Sequence, residues 1–566
     1  MQKNNSSTMH IGIDLGTTNT VIASCKSGRR FYHPVVRDIN QYKLAKQMGT
    51  SKSLPSVLFF DNDGTIKVGE YAKSKKMNGA DRRILYNTKI DMGQKVEYDN
   101  GFISGFTPVS AAAEVLKVCR ENIRTYIGRD DEFPDVTITV PASFTQNQIT
   151  DTLKAAEIAG FDINKISILE EPVAALYYYI NEQIISGEEE IIDFSETKRV
   201  LVYDIGGGTC DVCIVDLKDN DNYNFEVHFV STNRYTEFGG NDFDEQAAIG
   251  LLNKLFKRYD IKEEDIDSPD IKNSLVSSII PFCEEYKLAY SQQLANGRPE
   301  DDIPNASYGS LPRFLAKHEN VELDLSYQEY KKYTSIFFQD NYTHPTRDLT
   351  NKMRDKNIIK PVYQLLKQLE SKGEKPIDCI FLTGGMSKYL PIEDALREYC
   401  KCPLIKTEFP MDSVALGAAL SSFVNADKTG LQEIKPIDGS GEIETGIQSG
   451  SDDRPKLAEA IFIDIENSLP MKIIDSDINI PCKGKVAHIF HVSTNGVRFN
   501  LFAGLSEWDP EMRVLYDYSI TFKDLVPPDT EAEIEYEIDK NRYLKLYLML
   551  KDVRHQKLEL TVDTTN

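Results

Sequence analysis

Arg199–Val200–Leu201–Val202–Tyr203–Asp204–Ile205–Gly206–Gly207–Gly208–Thr209–Cys210–Asp211–Val212–Cys213–Ile214–Val215–Asp216 decides the fold. Two β-rich runs flank a turn of glycines, with carboxylates at both ends of the turn. Glycine adopts φ > 0 and lets the backbone approach a ligand closely, so successive N–H groups can point at one anion. Asp204 closes the incoming run, where a hydrated cation needs a carboxylate, and Thr209 and Asp211 open the outgoing one. The pattern reads as a phosphate cradle with a metal beside it. Taken alone, a glycine-rich β-hairpin with an acidic surface fits the same residues. A second copy shifts the balance. Ile11–Gly12–Ile13–Asp14–Leu15–Gly16–Thr17–Thr18–Asn19–Thr20–Val21–Ile22–Ala23 sets Asp14–Leu15–Gly16–Thr17–Thr18 against Asp204–Ile205–Gly206–Gly207–Gly208, again between apolar runs. The pair predicts two similar lobes, each offering a phosphate turn and an aspartate to one cleft.

The chain has 566 residues, enough for about three domains with their own cores. A formal net charge of −23 argues against nucleic-acid or anionic-membrane partners, which need a surplus of Lys and Arg. No apolar run reaches the length of a membrane span, and residues 1–10 are polar with no apolar core. We expect a tail at 1–10, no secretory signal, and a cytoplasmic protein. The nine cysteines are scattered, which suits reduced thiols better than a disulfide framework. Cys210 and Cys213 have a C-x-x-C spacing, but in a strand an i, i+3 pair points to opposite faces. The eight histidines show no metal-binding spacing.

Along the chain, Pro108 opens a helix to about Tyr126, Asp135–Val140 reads as a strand buried on both faces, and Asn147–Ala159 reads as a helix. Ile166–Leu169 is another strand, running through Glu170–Glu171–Pro172 into a helix that ends near Gln183. After the second hairpin come the Phe225–Thr232 strand, the Phe238–Gly239–Gly240–Asn241–Asp242 turn, and helices over Asp244–Tyr259 and Lys272–Tyr290. Residues 292–345 read as irregular, with helix returning over Thr350–Leu369. Asp378–Thr383 is a buried-type strand ending in Gly384–Gly385–Met386–Ser387–Lys388, and Pro410–Met411–Asp412 caps a small-residue helix. From 426 to 456 the composition turns to Gly, Ser, Asp and Glu, a linker. Beyond it, short alternating runs predict an antiparallel β-sandwich over 457–566.

The order of these signals resembles the heat shock protein 70 (DnaK-type) chaperone family, within the actin-like ATPase superfamily. The carrying residues are Ile11–Thr20, Val140–Phe144, Glu170–Ala175, Tyr203–Val212, Gly239–Asp244, Thr383–Ser387 and Asp412–Ala419. The resemblance implies an α/β fold: a two-lobed actin-like (ribonuclease-H-like) ATPase domain over 11–425, followed by the β-sandwich as a peptide- or partner-binding domain. It implies ATP/ADP and Mg²⁺, with K⁺ as a candidate second cation. By position, Asp14, Asp204 and Asp211 would hold the hydrated metal. Gly16, Thr17, Thr18, Asn19, Gly206, Gly207, Gly208 and Thr209 would cradle the phosphates. Lys89, four residues before Gly93, matches the catalytic lysine, and Glu171 the carboxylate that places the attacking water; Glu170 competes, and the following Pro172 favours Glu171. Thr209 and Asp211 complete the catalytic set. Phosphoryl transfer needs positioning and charge cancellation, so a lysine, a metal and backbone dipoles suffice.

On the adenosine side the resemblance implies Gly239, Gly240, Glu284, Lys287 and Ser291, with Gly384, Gly385, Lys388 and Asp412 opposite. Glu284, Lys287 and Ser291 share one helical face. Here the chain departs from the family: Leu288 and Lys388 stand where arginines cover the adenine, which loses the planar cation–π contact. Ile149 replaces an arginine that relays nucleotide state, and Ile90 another beside the catalytic lysine. The aliphatic interdomain linker is not recognisable, and the helical lid is missing. The leading expectation is an ATP-hydrolysing chaperone that couples nucleotide state to binding of extended, unfolded polypeptide, with a J-domain-type co-chaperone and a nucleotide exchange factor as further partners. A regulatory or scaffolding ATPase with one dedicated partner is the alternative, and a sugar-kinase-like transferase ranks last.

Overall fold

Each glycine turn closes an antiparallel hairpin. The first pairs Met9–Leu15 with Asn19–Lys26, Leu15 opposite Thr20. The second pairs Lys198–Ile205 with Cys210–Asp219, Ile205 opposite Cys210. Residues 16–19 and 206–209 therefore occupy equivalent turns, as the alignment of the two motifs predicts. The computed structural model describes residues 9–26, 32–44, 47–76, 83–99, 103–127, 133–144, 146–186, 192–219, 225–233, 238–262, 269–311, 321–339, 356–423, 460–465, 471–476, 478–479, 482–486, 490–492, 496–504, 513–521, 530–538, 544–550 and 557–562. Most of the expected tail and the whole linker at 426–456 lie outside the described residues.

The duplication extends well beyond the turns. In the first sheet, Val35–Val36 flanks the second hairpin strand, while Val136–Val140 and then Ile166–Glu170 run parallel to the first. In the second sheet, Phe225–Thr232 flanks Cys210–Asp219, while Cys379–Thr383 and then Leu404–Ile405 run parallel to Lys198–Ile205. Apart from Ser53–Pro55, a sixth strand of the first sheet that also pairs with Asn19–Lys26, both have the order third, second, first, fourth, fifth. Helices Gln146–Ile158 and Leu390–Cys400 make the crossovers that parallel neighbours require. Beyond each fifth strand the chain reaches one more helix, Glu171–Ser186 or Ser413–Leu420.

Those last two helices lie in an apolar cluster shared by both sheets. It contains Val173, Leu176 and Ile180 of one helix and Ala415, Leu416 and Ala419 of the other, with Val21 of the first sheet and Val200, Val202 and Val215 of the second. Small residues let the backbones approach. A Cβ on Gly417 would lie 1.7 Å from the Ala174 carbonyl oxygen, and one on Gly12 would lie 2.3 Å from the Ala419 nitrogen. The opposite face of the first sheet packs on Pro108–Ile127, and that of the second on Gly240–Arg258 and Pro269–Ala295. The hairpin strands show the period-two alternation this demands: Tyr203, Cys210 and Val212 join the outer cluster, and Val202, Cys213 and Val215 the shared one. Cys210 and Cys213 thus point to opposite faces, as strand geometry dictates.

Two stretches differ from the sequence reading. Within 292–345, Ala306–Leu311 pairs with Val321–Leu325, and Tyr327–Thr334 is a helix. Its start is a capping box in which Ser326 and Glu329 satisfy each other's backbone N–H groups. The helix expected over Thr350–Leu369 begins at Lys360, where Asn357 accepts from the N–H groups of Ile359 and Lys360; residues 350–355 lie outside the described residues.

In the C-terminal part, Met471–Ile474, Ala460–Ile465, Gly496–Gly504 and Arg513–Thr521 form one antiparallel sheet. Thr530–Ile538, Leu544–Leu550 and Lys557–Val562 form another, with Cys482–Lys485 and Phe490–Val492 both pairing to its first strand. Ile461, Ile463 and Leu501 of the first sheet share an apolar cluster with Ile534, Leu546 and Leu548 of the second. Among the described residues, no helix is long and apolar enough to cross a membrane.

Candidate functional site

The two glycine turns meet across a cleft. A Cβ on Gly207 would lie 2.6 Å from Thr18 Oγ1, and one on Gly208 would lie 3.5 Å from Thr17 Cγ2. Any side chain at Gly207 would therefore fill the space between the turns. Gly206 N–H donates to the Thr209 carbonyl at 2.9 Å, while Ser56 ties the first turn down, its hydroxyl donating to the Gly16 carbonyl at 2.8 Å. Behind the second turn, Gly240 and Asn241 N–H groups donate to the Gly206 and Gly207 carbonyls. Gly239 has to be glycine there, since its Cβ would lie 2.7 Å from the Gly206 carbonyl oxygen.

The turns border a cavity of about 350 Å³. Of the residues singled out from sequence, it gathers Asp14, Gly16, Thr17, Thr18, Asn19, Lys89, Glu171, Asp204, Gly206, Gly207, Gly208, Thr209, Asp211, Gly384, Gly385, Lys388 and Asp412. Gly384 has φ +82°, and its Cβ would lie 2.3 Å from Asp204 Oδ1, so only glycine lets this strand end approach the second hairpin. Asp412 stands at the N-cap position of Ser413–Leu420 without a side-chain cap hydrogen bond; its carboxylate feels the Lys388 ammonium instead.

Lys89 sits in the 3₁₀ turn Thr88–Asp91, entered through the left-handed Asn87 at φ 57°. Its Nζ donates to Glu171 Oε1 at 2.7 Å, and both side chains are nearly buried. The same nitrogen lies 5.5 Å from the centroid of the Phe144 ring. Glu171 begins its helix, where the positive end of the dipole suits a carboxylate. Of the two adjacent glutamates, Glu171 is the one that lines the cavity; Glu170 closes the strand before it.

Carboxylates outnumber the cations here. Burial, with Glu171 next, pushes Asp14 up to about 7, and Lys89 opposes the shift. Burial and Glu171 likewise raise Asp211 to about 7, although it accepts from Ala142 N–H at 2.8 Å and the Ser143 hydroxyl at 3.2 Å. Asp204 is raised well above the carboxylate range by burial, then by Glu171, Asp14 and Asp211. A cation would relieve this crowding, and an all-oxygen set suits a hard one such as Mg²⁺. Among the described residues, no three His, Cys, Asp or Glu side chains close into a direct coordination cage. The buried Thr18 hydroxyl has no hydrogen-bond partner among the described residues, which leaves it for a ligand. The residues present fit a nucleotide phosphate chain with a hydrated metal.

Other predicted residues do not reach the cavity wall. Lys287 Nζ donates to Asp244 Oδ2 at 2.6 Å and to the Gly240 carbonyl at 3.0 Å, a buried strut behind the turn. Glu284 pairs with Lys73 at 2.8 Å. Ser291 is buried on the same helix, and Gly239 and Gly240 back the triglycine turn. Conversely, the cavity is lined by Lys52, Ser53, Glu408, Phe409, Pro410 and Met411, none of which the sequence reading placed in the site. Phe409–Pro410–Met411 carries one usable signal: two large apolar residues around a proline in a polar loop.

A family model described as "Hsp70 protein" matches residues 10–298. A "Chaperone protein DnaK" of Thermosipho melanesiensis is 30% identical over 446 residues, covering 77% of this chain and 64% of that protein. A "Chaperone protein DnaK" of Thermosipho africanus gives the same figures, 30% over 446 residues with 77% and 64% covered. The "Chaperone protein DnaK" of Thermotoga neapolitana is 28% identical over 445 residues, again covering 77% of this chain and 64% of its own. The chain thus spans 64% of the length of these curated relatives.

Proposed function

This chain belongs to the Hsp70 protein family, and on that premise we propose that it is a chaperone that binds and hydrolyses ATP and couples nucleotide state to an extended polypeptide. The observation that carries the reading is the convergence of two equivalent phosphate turns and the Lys89–Glu171 pair on one cavity.

In this reading the backbone of residues 16–19 and 206–209 holds the phosphate chain, with the Thr18 hydroxyl donating to a phosphate oxygen. Asp14, Asp204 and Asp211 would hold a hydrated Mg²⁺, which would supply neutralisation of the phosphate charge. Lys89 neutralises the transferring phosphoryl group, and Glu171, held by Lys89, orients the attacking water. Thr209 steadies the phosphate end from the second turn. No covalent nucleophile is needed, because preorganised charge and position supply the acceleration. We divide the chain into a nucleotide-binding part at 11–425 and a polypeptide-binding part at 457–566, whose two sheets we read as a sandwich. Extended polypeptide would bind there through backbone pairing and side-chain pockets, with a J-domain-type protein and an exchange factor as regulators. Cytoplasmic action follows as part of the same proposal.

The test is steady-state ATP hydrolysis by the full chain and by Lys89→Ala, with and without extended apolar peptides. Turnover that rises with peptide and disappears in the variant supports the proposal. Turnover indifferent to every peptide removes the coupling, and no turnover in the parent removes the catalytic assignment.

A further inference from the structure

A second hollow, of about 550 Å³, is lined by helices Gly240–Arg258 and Tyr327–Thr334. None of its lining residues borders the nucleotide cavity. The longer helix supplies Gln246, Ile249, Gly250, Asn253, Lys254 and Lys257, and the shorter supplies Lys332 and Tyr333. The six positions on the longer helix share one face, while Ala247, Leu251 and Leu255 turn the opposite face into the core. A Cβ on Gly250 would lie 2.3 Å from Tyr333 Cγ, so glycine lets that ring lie against the helix and form part of the wall.

The lining carries three lysines and no carboxylate, in a chain whose formal net charge is −23. Lys254 is already paired, its Nζ 2.8 Å from both Asp324 Oδ2 and Glu329 Oε1, and Arg258 takes the other Asp324 oxygen at 2.6 Å. Two cations and two carboxylates cancel there. Lys257 and Lys332 are exposed, and neither has an ion pair or a side-chain hydrogen bond among the described residues. The side-chain amides of Gln246 and Asn253 are likewise unspent. Two uncompensated positive charges and two amides therefore face one groove.

We propose that this groove docks an acidic, extended segment of a partner protein, its carboxylates on Lys257 and Lys332 and its backbone on Gln246 and Asn253. The stripe from Gln246 to Lys257 is ~16 Å long at the helical rise, the reach of about five residues of extended chain. A single inorganic anion would leave most of that length empty. Each side-chain amide offers a donor and an acceptor, which matches the peptide group. Ile249 and Tyr333, both half-buried, add apolar contact for the intervening side chains. Nucleic acid fits less well, because the lining holds no arginine and the chain as a whole repels a polyanion. Exposed lysines recognise by charge complementarity, which governs specificity and salt dependence more than raw affinity.

The test is fluorescence anisotropy of a fluorescein-labelled peptide of five Glu-Ala repeats, titrated with the full chain. Affinity should fall as salt rises from about 0.05 to about 0.3 M. Lys257→Ala and Lys332→Ala should each weaken binding about threefold. The charge reversal Lys257→Glu/Lys332→Glu should weaken it on the order of tenfold or more, since like charges then face each other. Lys367→Glu/Lys401→Glu makes the same charge change at exposed positions elsewhere and should bind within twofold of the parent. Binding that the groove reversal leaves within twofold overturns the proposal, and so does an equal loss in both double variants, which would reflect net charge alone. No binding by the parent at low salt overturns it as well. Displacement of the peptide by millimolar inorganic phosphate at constant ionic strength would make the groove a small-anion site. Tighter binding of a ten-residue oligothymidylate would make it a nucleic-acid surface, and either result overturns the polypeptide assignment.

Discussion

Lys89 and Glu171 form an ion pair of 2.7 Å inside the cleft, drawn from a 3₁₀ turn and a helix start 82 positions apart. Each side chain is only 10–13% exposed. The pairing holds both groups beside Asp14, Asp204 and Asp211, whose carboxyls are raised by burial and then by Glu171. Lys89→Met and Glu171→Gln should each lower kcat for ATP hydrolysis by on the order of 10²–10³ while leaving Mg·ATP affinity within a few-fold. The double variant should lose far less than the product of the two, since the residues act as a unit. Single-turnover kinetics beside equilibrium binding checks this; an additive double variant would count against a shared role.

Lys287 gives the opposite split. Its ammonium is buried with Asp244, whose pKa burial raises to about 6 against the pull of that same lysine. Tyr330 OH donates to the other Asp244 oxygen at 3.3 Å. Removing one partner of a buried pair costs about 3–5 kcal/mol. Lys287→Met should therefore lower the thermal midpoint by roughly 5–10 °C. Its ATP affinity should hold at a temperature where it is folded. A large affinity loss with an unchanged midpoint would return Lys287 to the nucleotide.

These two lysines mark where the sequence is legible and where it is not. The alignment of residues 16–19 with 206–209 is carried by local chemistry, a turn between two strands, and the sheet order bears it out in both lobes. Helical spacing also places Glu284, Lys287 and Ser291 on one face. What that face meets depends on the packing of Pro269–Ala295 against Gly240–Arg258, which spacing cannot report. Phe409 and Met411 were missed for a related reason. Their loop follows the short strand Leu404–Ile405, and only the parallel pairing of that strand with Cys379–Thr383 brings it over Gly384 and Gly385. The strand pair at 306–311 and 321–325 was obscured by its polar composition, although Ser326-x-x-Glu329 was there to be read as a helix start.

Ile149 replaces the charged residue expected from the family with a packing role. It is 6% exposed and clusters with Val140 and Phe144, the ring beneath Lys89. Ile149→Ala should cost about 2–4 kcal/mol in denaturant unfolding, as buried isoleucine truncations do. Ile149→Arg should be worse, placing an unpaired cation among apolar side chains. A fully stable Ile149→Arg variant would show that the site opens to water.

His10 should make the first lobe sensitive to acid. It is 5% exposed in the strand Met9–Leu15, with Nε2 2.9 Å from Thr137 Oγ1 and the Phe423 ring edge-on at 6.4 Å. Burial lowers its pKa to about 4 from 6.5. The unfolded chain thus binds the proton more tightly than the folded one. The stability from keeping His10 neutral is complete above pH ~6.5 and is lost as pH falls toward ~4, amounting to about 3 kcal/mol. Urea unfolding of parent and His10→Gln from pH 7.5 to 4.5 should show the parent losing about 2.5 kcal/mol more, most of the full amount; parallel curves would rule the histidine out.

Lys73 and Glu284 join the two lobes from opposite sides of the cleft. Lys73 lies on Glu70–Lys76, packed with the first lobe, and Glu284 on Pro269–Ala295, which packs on the second sheet. They meet at 2.8 Å with side chains 32% exposed, so water screens the pair and its value is below about 1 kcal/mol. A bond that weak cannot hold the fold together, but it can bias how often the lobes part. If bound nucleotide leaves only when they part, Lys73→Ala should speed ADP release by up to about fivefold, the factor that 1 kcal/mol allows. Raising the salt from 0.05 to 0.5 M should speed release from the parent and leave the variant nearly unchanged, because only the parent has the pair to screen. Lys73→Glu, which sets two carboxylates face to face, should release faster still. Stopped-flow displacement of a fluorescent ADP measures all three, and equal release rates with equal salt dependence would mean the lobes part without breaking this contact.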